Sequence, residues 1–203
     1  MTAILLDLDG TLTEAGPGII GSFRYALGRM GVEPPPAGDL RWVVGPPSRR
    51  SFPTFLGPDA DIEEAVRLYR EHYAAHGIFD AAVYVGIPEA LNGLKAFGAR
   101  LFVCTAKPTV FAERVIRHFG LAPHFEAIYG AELGGRFDDK GDLIAHILAA
   151  EAIDPARVVM IGDRANDVLA ARRNAIPVIG VLWLWDRRRT RVGGRNRTVP
   201  APG

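Results

Sequence analysis

The chain has 203 residues, nearly half of them apolar, and a formal charge of +1 from 24 basic and 23 acidic side chains. That length buries one sizeable core, or a core with a small insertion, and the near balance of charge gives no reason to expect nucleic acid or an anionic membrane as a partner. No run approaches membrane-spanning length, the opening Met1-Thr2-Ala3-Ile4-Leu5-Leu6-Asp7 lacks the basic region of a secretory leader, and the lone Cys104 excludes an internal disulfide, so a reducing cytoplasm is the expected setting.

Ile4, Leu5, Leu6 and Leu8 read as a short buried strand that runs into Asp7-Leu8-Asp9-Gly10-Thr11. Strand side chains alternate, so Asp7 and Asp9 leave the backbone on one side unless the chain is already turning, and Gly10 suggests that it turns. Two neighbouring carboxylates raise one another's pKa and need a cation, a shared proton or a lysine; a divalent metal is the simplest answer. The grouping suits phosphoryl transfer, with Asp7 as nucleophile, Asp9 as general acid/base and Mg2+ between them. It suits equally a polar turn built of good turn formers, so partners elsewhere in the chain must decide.

After a loop to Gly18, the residues Ile19, Ile20, Phe23, Tyr25, Ala26, Leu27 and Met30 recur at helical spacing until Gly31, and Pro34-Pro35-Pro36 forbids continuation. Residues 37 to 57 hold a short helical piece and the loop Gly45-Pro46-Pro47-Ser48-Arg49-Arg50. A stronger helix follows from Ile62 to His76, with Ile62, Ala65, Val66, Tyr69 and Tyr73 facing inward. From Gly86 the pattern changes to alternating helices and strands: helix from Pro88 to Phe97, strand Leu101 to Thr105, helix Val110 to Phe119, strand Ala127 to Tyr129, helix Leu143 to Ala152, strand Val158 to Ile161, helix Asp167 to Arg173, strand Pro177 to Leu182. Apolar strands without alternation indicate a parallel sheet covered on both faces. The expected architecture is therefore α/β, a doubly wound, Rossmann-like parallel sheet formed by 1–15 and 84–183, with a small all-helical cap domain, 16–83, inserted after the first strand.

In such a sheet the reactive groups gather at the carboxyl ends of the strands. The strand ending at Thr105-Ala106-Lys107-Pro108 offers a hydroxyl and a backbone N–H where a phosphate could be held before the next helix, although Thr105 would also serve as an ordinary cap. Gly162-Asp163-Arg164-Ala165-Asn166-Asp167 ends the later strand; Asp163 suits a magnesium ligand, and Asp167 is either part of the same site or a charge favoured at a helix start. Lys140 precedes a helix, a position that by itself says little. The five histidines show no ligand-like clustering.

Taken in order, Asp-x-Asp-Gly-Thr, a strand-end Thr, a Lys before a helix and Gly-Asp-x-x-x-Asp resemble the haloacid dehalogenase superfamily of phosphohydrolases. The resemblance spans residues 4 to 183 and is closest to its phosphoglycolate phosphatase and 5'-nucleotidase-like branch. It is carried by Asp7 to Thr13, Gly18 to Leu27, Val44 to Arg49, Lys107 to Gly120 and Ile161 to Asp167. It implies attack by Asp7 on a phosphate monoester, with Asp9 first protonating the leaving alcohol and then activating water. It further implies one Mg2+ held by the side chains of Asp7 and Asp163 and the carbonyl of Asp9, with Asp167 supporting that cluster or Lys140. Phosphoryl oxygens would meet Thr105, Lys140 and backbone N–H groups near Gly10, Thr11 and Ala106. Because the Gly-Pro-Pro-x-Arg loop matches the relatives' cap loop, Arg49 is the residue aimed at a second anionic group of the substrate, and Arg50 is read as surface charge.

The implied partner is a small phosphorylated metabolite, handled by a monomer or homodimer, with phosphoglycolate ahead of nucleoside monophosphates. A sugar phosphomutase, an inactive truncated relative and a phospho-accepting signalling domain are the alternatives; the last puts its acceptor on a middle strand and has no large insertion after the first. The resemblance stops at Trp183. Residues 184–203 are rich in Arg, Gly and Pro without apolar periodicity, which predicts disorder. They also fit a frameshift: Trp185-Asp186 read one base later must contain a glycine codon, and suitable codons turn Leu184 to Arg191 into Tyr-Gly-Thr-Ala-Asp-Glu-Leu-Glu, close to the family's missing loop and acidic helix. The last strand would then lack its covering elements and present an apolar edge.

Overall fold

The computed structural model describes residues 2–183 and the backbone of Arg197–Val199. In chain order its main elements are β1 (Ala3–Leu6), β2 (Thr13–Glu14), α1 (Gly16–Arg29), α2 (Ser48–Ser51), α3 (Ile62–His72), β3 (Ala82–Val83), α4 (Ile87–Ala96), β4 (Arg100–Pro108), α5 (Thr109–His118), β5 (Ala127–Ala131), α6 (Lys140–Ala150), β6 (Val158–Gly162), α7 (Ala165–Arg173), β7 (Val178–Val181) and β8 (Arg197–Val199). Two compact units result, Glu14–Ala82 and the rest of the chain.

In the larger unit the strands lie in the order β5-β4-β1-β6-β7-β8, every pair parallel. All four residues of β1 are buried, as an apolar strand covered on both sides requires. Leu5, Phe102, Cys104 and Met160 share a core with Leu143, Ile144 and Ile147 of α6 and Ala170 and Ala171 of α7. The alternate residues Ile4, Leu6, Leu101 and Val103 are just as buried, so the opposite face is covered too; α5 packs on β4 and β5. The doubly wound parallel sheet expected from the strand pattern is therefore present. Successive connections run from β1 to β4 and β5 on one side, and from β6 to β7 on the other. Their divergence makes a switch point between β1 and β6, and in doubly wound sheets ligands bind at the carboxyl end of such a point.

The elements differ from the periodicity in instructive ways. β4 continues past Thr105 to Pro108, with a register slip against β5 between those residues. The paired two-residue strands β2 and β3 are too short for periodicity to reveal. The helix read from Ile62 to His76 is α-helical only to His72 and ends in a π turn, Tyr73–Gly77. Of the tail, β8 runs parallel to β7 where an uncovered edge was expected; residues 184–196 and 200–203, on which the disorder and frameshift expectations also fall, lie outside the described residues.

The smaller unit is helical, as expected of the insertion. Asp61 starts α3 by accepting a hydrogen bond from the Glu64 N–H at 3.0 Å. Phe23 of α1 stacks on Phe52 with ring centroids 4.2 Å apart and meets Phe55 edge-on at 5.7 Å, an aromatic core that joins the intervening loops to α1. Among the described residues no helix is long and apolar enough to cross a membrane.

Candidate active site

Leu6 of β1 is in register with Val103 of β4 and Ile161 of β6, so the residues that follow these strands emerge side by side at the switch point. Asp7 lies one residue beyond β1, where its N–H donates to the Ile161 carbonyl at 2.9 Å. Its Oδ1 accepts a hydrogen bond from the Leu8 N–H at 2.8 Å and forms an ion pair with the Lys140 Nζ at 3.0 Å. Lys140 is the first residue of α6, fixed there because the Asp139 carboxylate caps the helix through the Gly141 N–H at 2.7 Å. The same Nζ donates to Asp167 Oδ1 at 2.5 Å, and Asp167 Oδ2 accepts the Arg164 N–H at 2.9 Å. Asp163 closes the group: one carboxylate oxygen from each of Asp7, Asp163 and Asp167 lies within 4.8 Å of the others, all three residues being buried.

Gly10 is required by this crowding. Its φ is +89°, and a Cβ there would lie 2.5 Å from a carboxylate oxygen of Asp163. Any L side chain at this position would meet both backbone strain and the site's own acid.

Asp9 takes a different cation. Its Oδ2 lies 3.0 Å from the Lys107 Nζ, with both side chains almost wholly buried, while Oδ1 is buried with no hydrogen-bond partner among the described residues. Burial pushes the Asp9 carboxyl above the ordinary range; Lys107 opposes this and Asp7 adds to it. Burial likewise raises Asp167 against the pull of Lys140. For Lys140 burial acts downward, but Asp167 and Asp7 outweigh it and hold the ammonium above the ordinary lysine range. Beneath the site, burial pushes the Cys104 thiol up to about 12, so it behaves as a small core residue, as its neighbours in the sequence indicated.

Asp7, Asp9, Thr105, Lys140, Asp163 and Asp167, named from the sequence, thus stand at one edge of the sheet. Thr105 Oγ1 accepts the Lys107 N–H at 3.2 Å, which directs its own proton elsewhere. The amides of Gly10 and Thr11, expected near the phosphoryl oxygens, have partners within the turn. Gly10 N–H donates to the Thr13 carbonyl at 2.7 Å and Thr11 N–H to the Leu8 carbonyl at 3.3 Å, because the tight turn after Asp9 uses these groups to close itself. Thr11 contributes instead through its hydroxyl, 3.4 Å from Asp163 Oδ1. In the smaller unit, Arg49 is held bidentately by Glu63, at 2.5 and 2.8 Å.

Two cations escaped the sequence reading. Lys107 follows Thr105 by two residues, so a strand prolonged to Pro108 turns both to one side; the period-two rule held that signal, and ending the strand at Thr105 hid it. Arg164 lies beside Asp163, Nε 3.4 Å from Oδ2, and burial depresses its pKa while the four aspartates oppose that shift. Among the described residues, four carboxylates therefore face three cations in a buried site. The clustered carboxylates of Asp7, Asp163 and Asp167 offer an all-oxygen donor set that fits a hard divalent cation such as Mg2+.

Residues 4–181 match the family model described as haloacid dehalogenase-like hydrolase. A 5'-nucleotidase of Pseudomonas aeruginosa is 44% identical over 88% of this chain and 81% of its own length. Tyrosine-protein kinase PtkA of Mycobacterium tuberculosis is 41% identical over 91% of this chain, which spans only 63% of that kinase. A phosphoglycolate phosphatase of Caulobacter vibrioides is 37% identical over 88% of this chain and 77% of its own. The crystal structure of a "predicted phosphatase" from Clostridium acetobutylicum superposes with a TM-score of 0.92 at 36% identity, covering 98% of this chain and 94% of that one.

Proposed function

The chain belongs to the haloacid dehalogenase-like hydrolases, and from that premise we propose that it is a Mg2+-dependent phosphatase that hydrolyses small phosphomonoesters through an aspartyl phosphate. Phosphoglycolate-like substrates are favoured over nucleoside monophosphates. The observation that carries the reading is one buried ammonium, Lys140, within hydrogen-bonding reach of both Asp7 and Asp167, with Asp163 closing the same cluster from the end of another strand.

Asp7 attacks phosphorus, so that a bond forms between its carboxylate oxygen and phosphorus as the bond to the ester oxygen breaks. Asp9, in its protonated form, gives its proton to the departing alkoxide; water then attacks the aspartyl phosphate, returns a proton to Asp9 and frees Asp7 and inorganic phosphate. Lys140 and the Leu8 N–H hold the Asp7 carboxylate in one orientation, which lowers the cost of reaching the reactive geometry. Thr105 offers its hydroxyl proton to a phosphoryl oxygen. Asp7, Asp163 and the Asp9 carbonyl would hold Mg2+, with Asp167 at the edge of the same cluster supporting Lys140. When bound, the ion supplies positive charge against the phosphoryl oxygens. In this proposal the enzyme acts in the cytoplasm, as a monomer or homodimer.

A panel of phosphate esters assayed with and without Mg2+ tests the reading. Release of inorganic phosphate from phosphoglycolate or a related small ester, abolished by chelation, is the expected result; release from no ester in the panel overturns it. A second reading, transfer of the phosphoryl group to protein tyrosine, follows from the similarity to the mycobacterial kinase. It predicts labelled protein in place of free phosphate.

Arg49 remains our candidate for a second anionic group on the substrate. Glu63 competes for it as an exposed partner, of the kind whose pairing is worth only about 0–1 kcal/mol. Arg49→Ala should therefore raise KM for a carboxylate-bearing ester several-fold while sparing phenyl phosphate, and Glu63→Gln should lower it. Equal KM shifts for both esters would remove Arg49 from substrate recognition.

A further inference from the structure

We propose that Lys107 is a positioning residue for the general acid, holding the Asp9 carboxyl by one oxygen so that the other is presented to the leaving group. This rests on the reading of Asp9 as the acid and base of phosphomonoester hydrolysis.

The geometry divides two lysines among three aspartates. Lys140 is committed to Asp7 and Asp167 at 3.0 and 2.5 Å, and Lys107 lies 3.0 Å from Asp9 Oδ2. The terminal torsion of an aspartate is intrinsically broad, so the Asp9 side chain does not by itself fix which oxygen meets the substrate. A single ammonium on Oδ2 removes that freedom and leaves Oδ1, the buried oxygen without a partner, as the one that faces chemistry. Taking a lysine and an aspartate out of water together is rarely a net gain in stability, so this pair needs a reason other than folding.

The backbone is arranged to deliver Lys107. β4 slips register against β5 between Thr105 and Pro108, a bulge of the kind that re-aims side chains beside active sites. The slip is possible because Gly130 of β5 has no side chain: a Cβ there would lie 2.3 Å from the Lys107 carbonyl oxygen. Thr105 Oγ1 holds the Lys107 N–H from the other side, at 3.2 Å. Two residues of one strand end thereby serve different parts of the reaction, Thr105 the phosphoryl group and Lys107 the proton donor.

The test uses leaving-group dependence, which a merely structural lysine would not move. p-Nitrophenyl phosphate departs as a stabilised phenolate and needs little help from a proton; an alkyl phosphate such as phosphoglycolate needs the acid. The ratio kcat/KM reports the first irreversible step, transfer of the phosphoryl group to Asp7. Lys107→Met should lower kcat/KM about a hundredfold for the alkyl ester, in the range that positioned proton transfer supplies. The loss on the aryl ester should be at least about tenfold smaller. Added to Asp9→Asn, Lys107→Met should cost the alkyl ester less than about threefold more, since residues acting as a unit are not additive.

Equal losses on both esters, or full additivity with Asp9→Asn, overturn the proposal. Lys107→Arg keeps the buried charge and serves if the methionine variant does not fold. Its longer, planar head cannot reproduce a point charge in a closed site, so it too must lower the alkyl-to-aryl ratio, and an unchanged ratio overturns the proposal. Wild-type turnover of neither ester overturns instead the phosphatase reading beneath it, and turnover of the aryl ester alone overturns that reading's phosphoglycolate-like substrate class.

Discussion

Asp7→Asn is expected to abolish Mg2+-dependent phosphate release while the protein stays folded. The amide keeps the size of the side chain and an oxygen that can accept the Leu8 N–H and face the Lys140 ammonium, but it is no nucleophile toward phosphorus. Removing the nucleophile of a covalent mechanism costs on the order of a millionfold in kcat, which puts turnover at the background of the assay. Stability should be unchanged or raised, because one of four buried carboxylates that repel one another has lost its charge. Intact-mass measurement during turnover adds a positive signature: the wild-type protein, quenched in acid, carries one phosphoryl group, and the variant carries none. Retained phosphate release by a folded Asp7→Asn protein would remove Asp7 from the reaction.

Lys140→Met should lose both activity and stability. Its ammonium lies between Asp7 and Asp167, and without it the cluster of Asp7, Asp163 and Asp167 has no cation at its centre. Breaking a buried pair by removing one partner costs about 3–5 kcal/mol. At about 2–4 °C per kcal/mol for a chain of this size, melting should fall by roughly 6–20 °C in the absence of divalent metal. Loss of one fixed charge from the phosphoryl site should reduce kcat about a hundred- to thousandfold.

The sign of the pH dependence follows from linkage. Lys140 is raised in the folded state, so its stabilisation is complete below its unfolded pKa and is lost only as the pH climbs through its folded value, far above neutrality. Burial raises Asp167, and removing the lysine that opposes this raises it further. A carboxyl whose folded pKa lies above its unfolded value binds protons more readily when folded. The variant therefore regains stability as the pH falls from the folded value of Asp167 toward the unfolded one, about 4. Its deficit against wild type is largest at neutral pH and narrows in acid. Mg2+ should restore part of it, since a bound cation replaces some of the missing charge. A melting temperature unchanged at neutral pH without metal would show that Lys140 does not bridge the two acids.

Much of this was legible in the residues alone. The unalternating apolar runs at Ile4–Leu6, Leu101–Val103 and Val158–Ile161 dictated buried parallel strands, because only a sheet covered on both faces hides every side chain. The Asp-x-Asp-Gly, strand-end Thr, helix-start Lys and Gly-Asp motifs named six side chains that now stand together. Doubly wound topology brings strand ends to one edge, so order along the chain carried spatial information. The helical insertion was equally plain from the spacing of Ile62, Ala65, Val66, Tyr69 and Tyr73.

What only the tertiary structure decided was pairing and availability. Periodicity records whether a side chain is hidden, but not what it touches, so nothing in the sequence assigned Lys140 to Asp7 and Lys107 to Asp9. The N–H groups of Gly10 and Thr11 looked open to a phosphate; the closed turn uses both on its own carbonyls, a choice set by a backbone path that residue types alone do not specify. Arg164 became part of the site because the end of β6 lies beside Asp7, and that proximity exists only once two strands distant in the chain are paired. Local pattern fixes which elements form; long-range hydrogen bonding and burial of charge then fix which groups meet, and chemistry depends on the meeting.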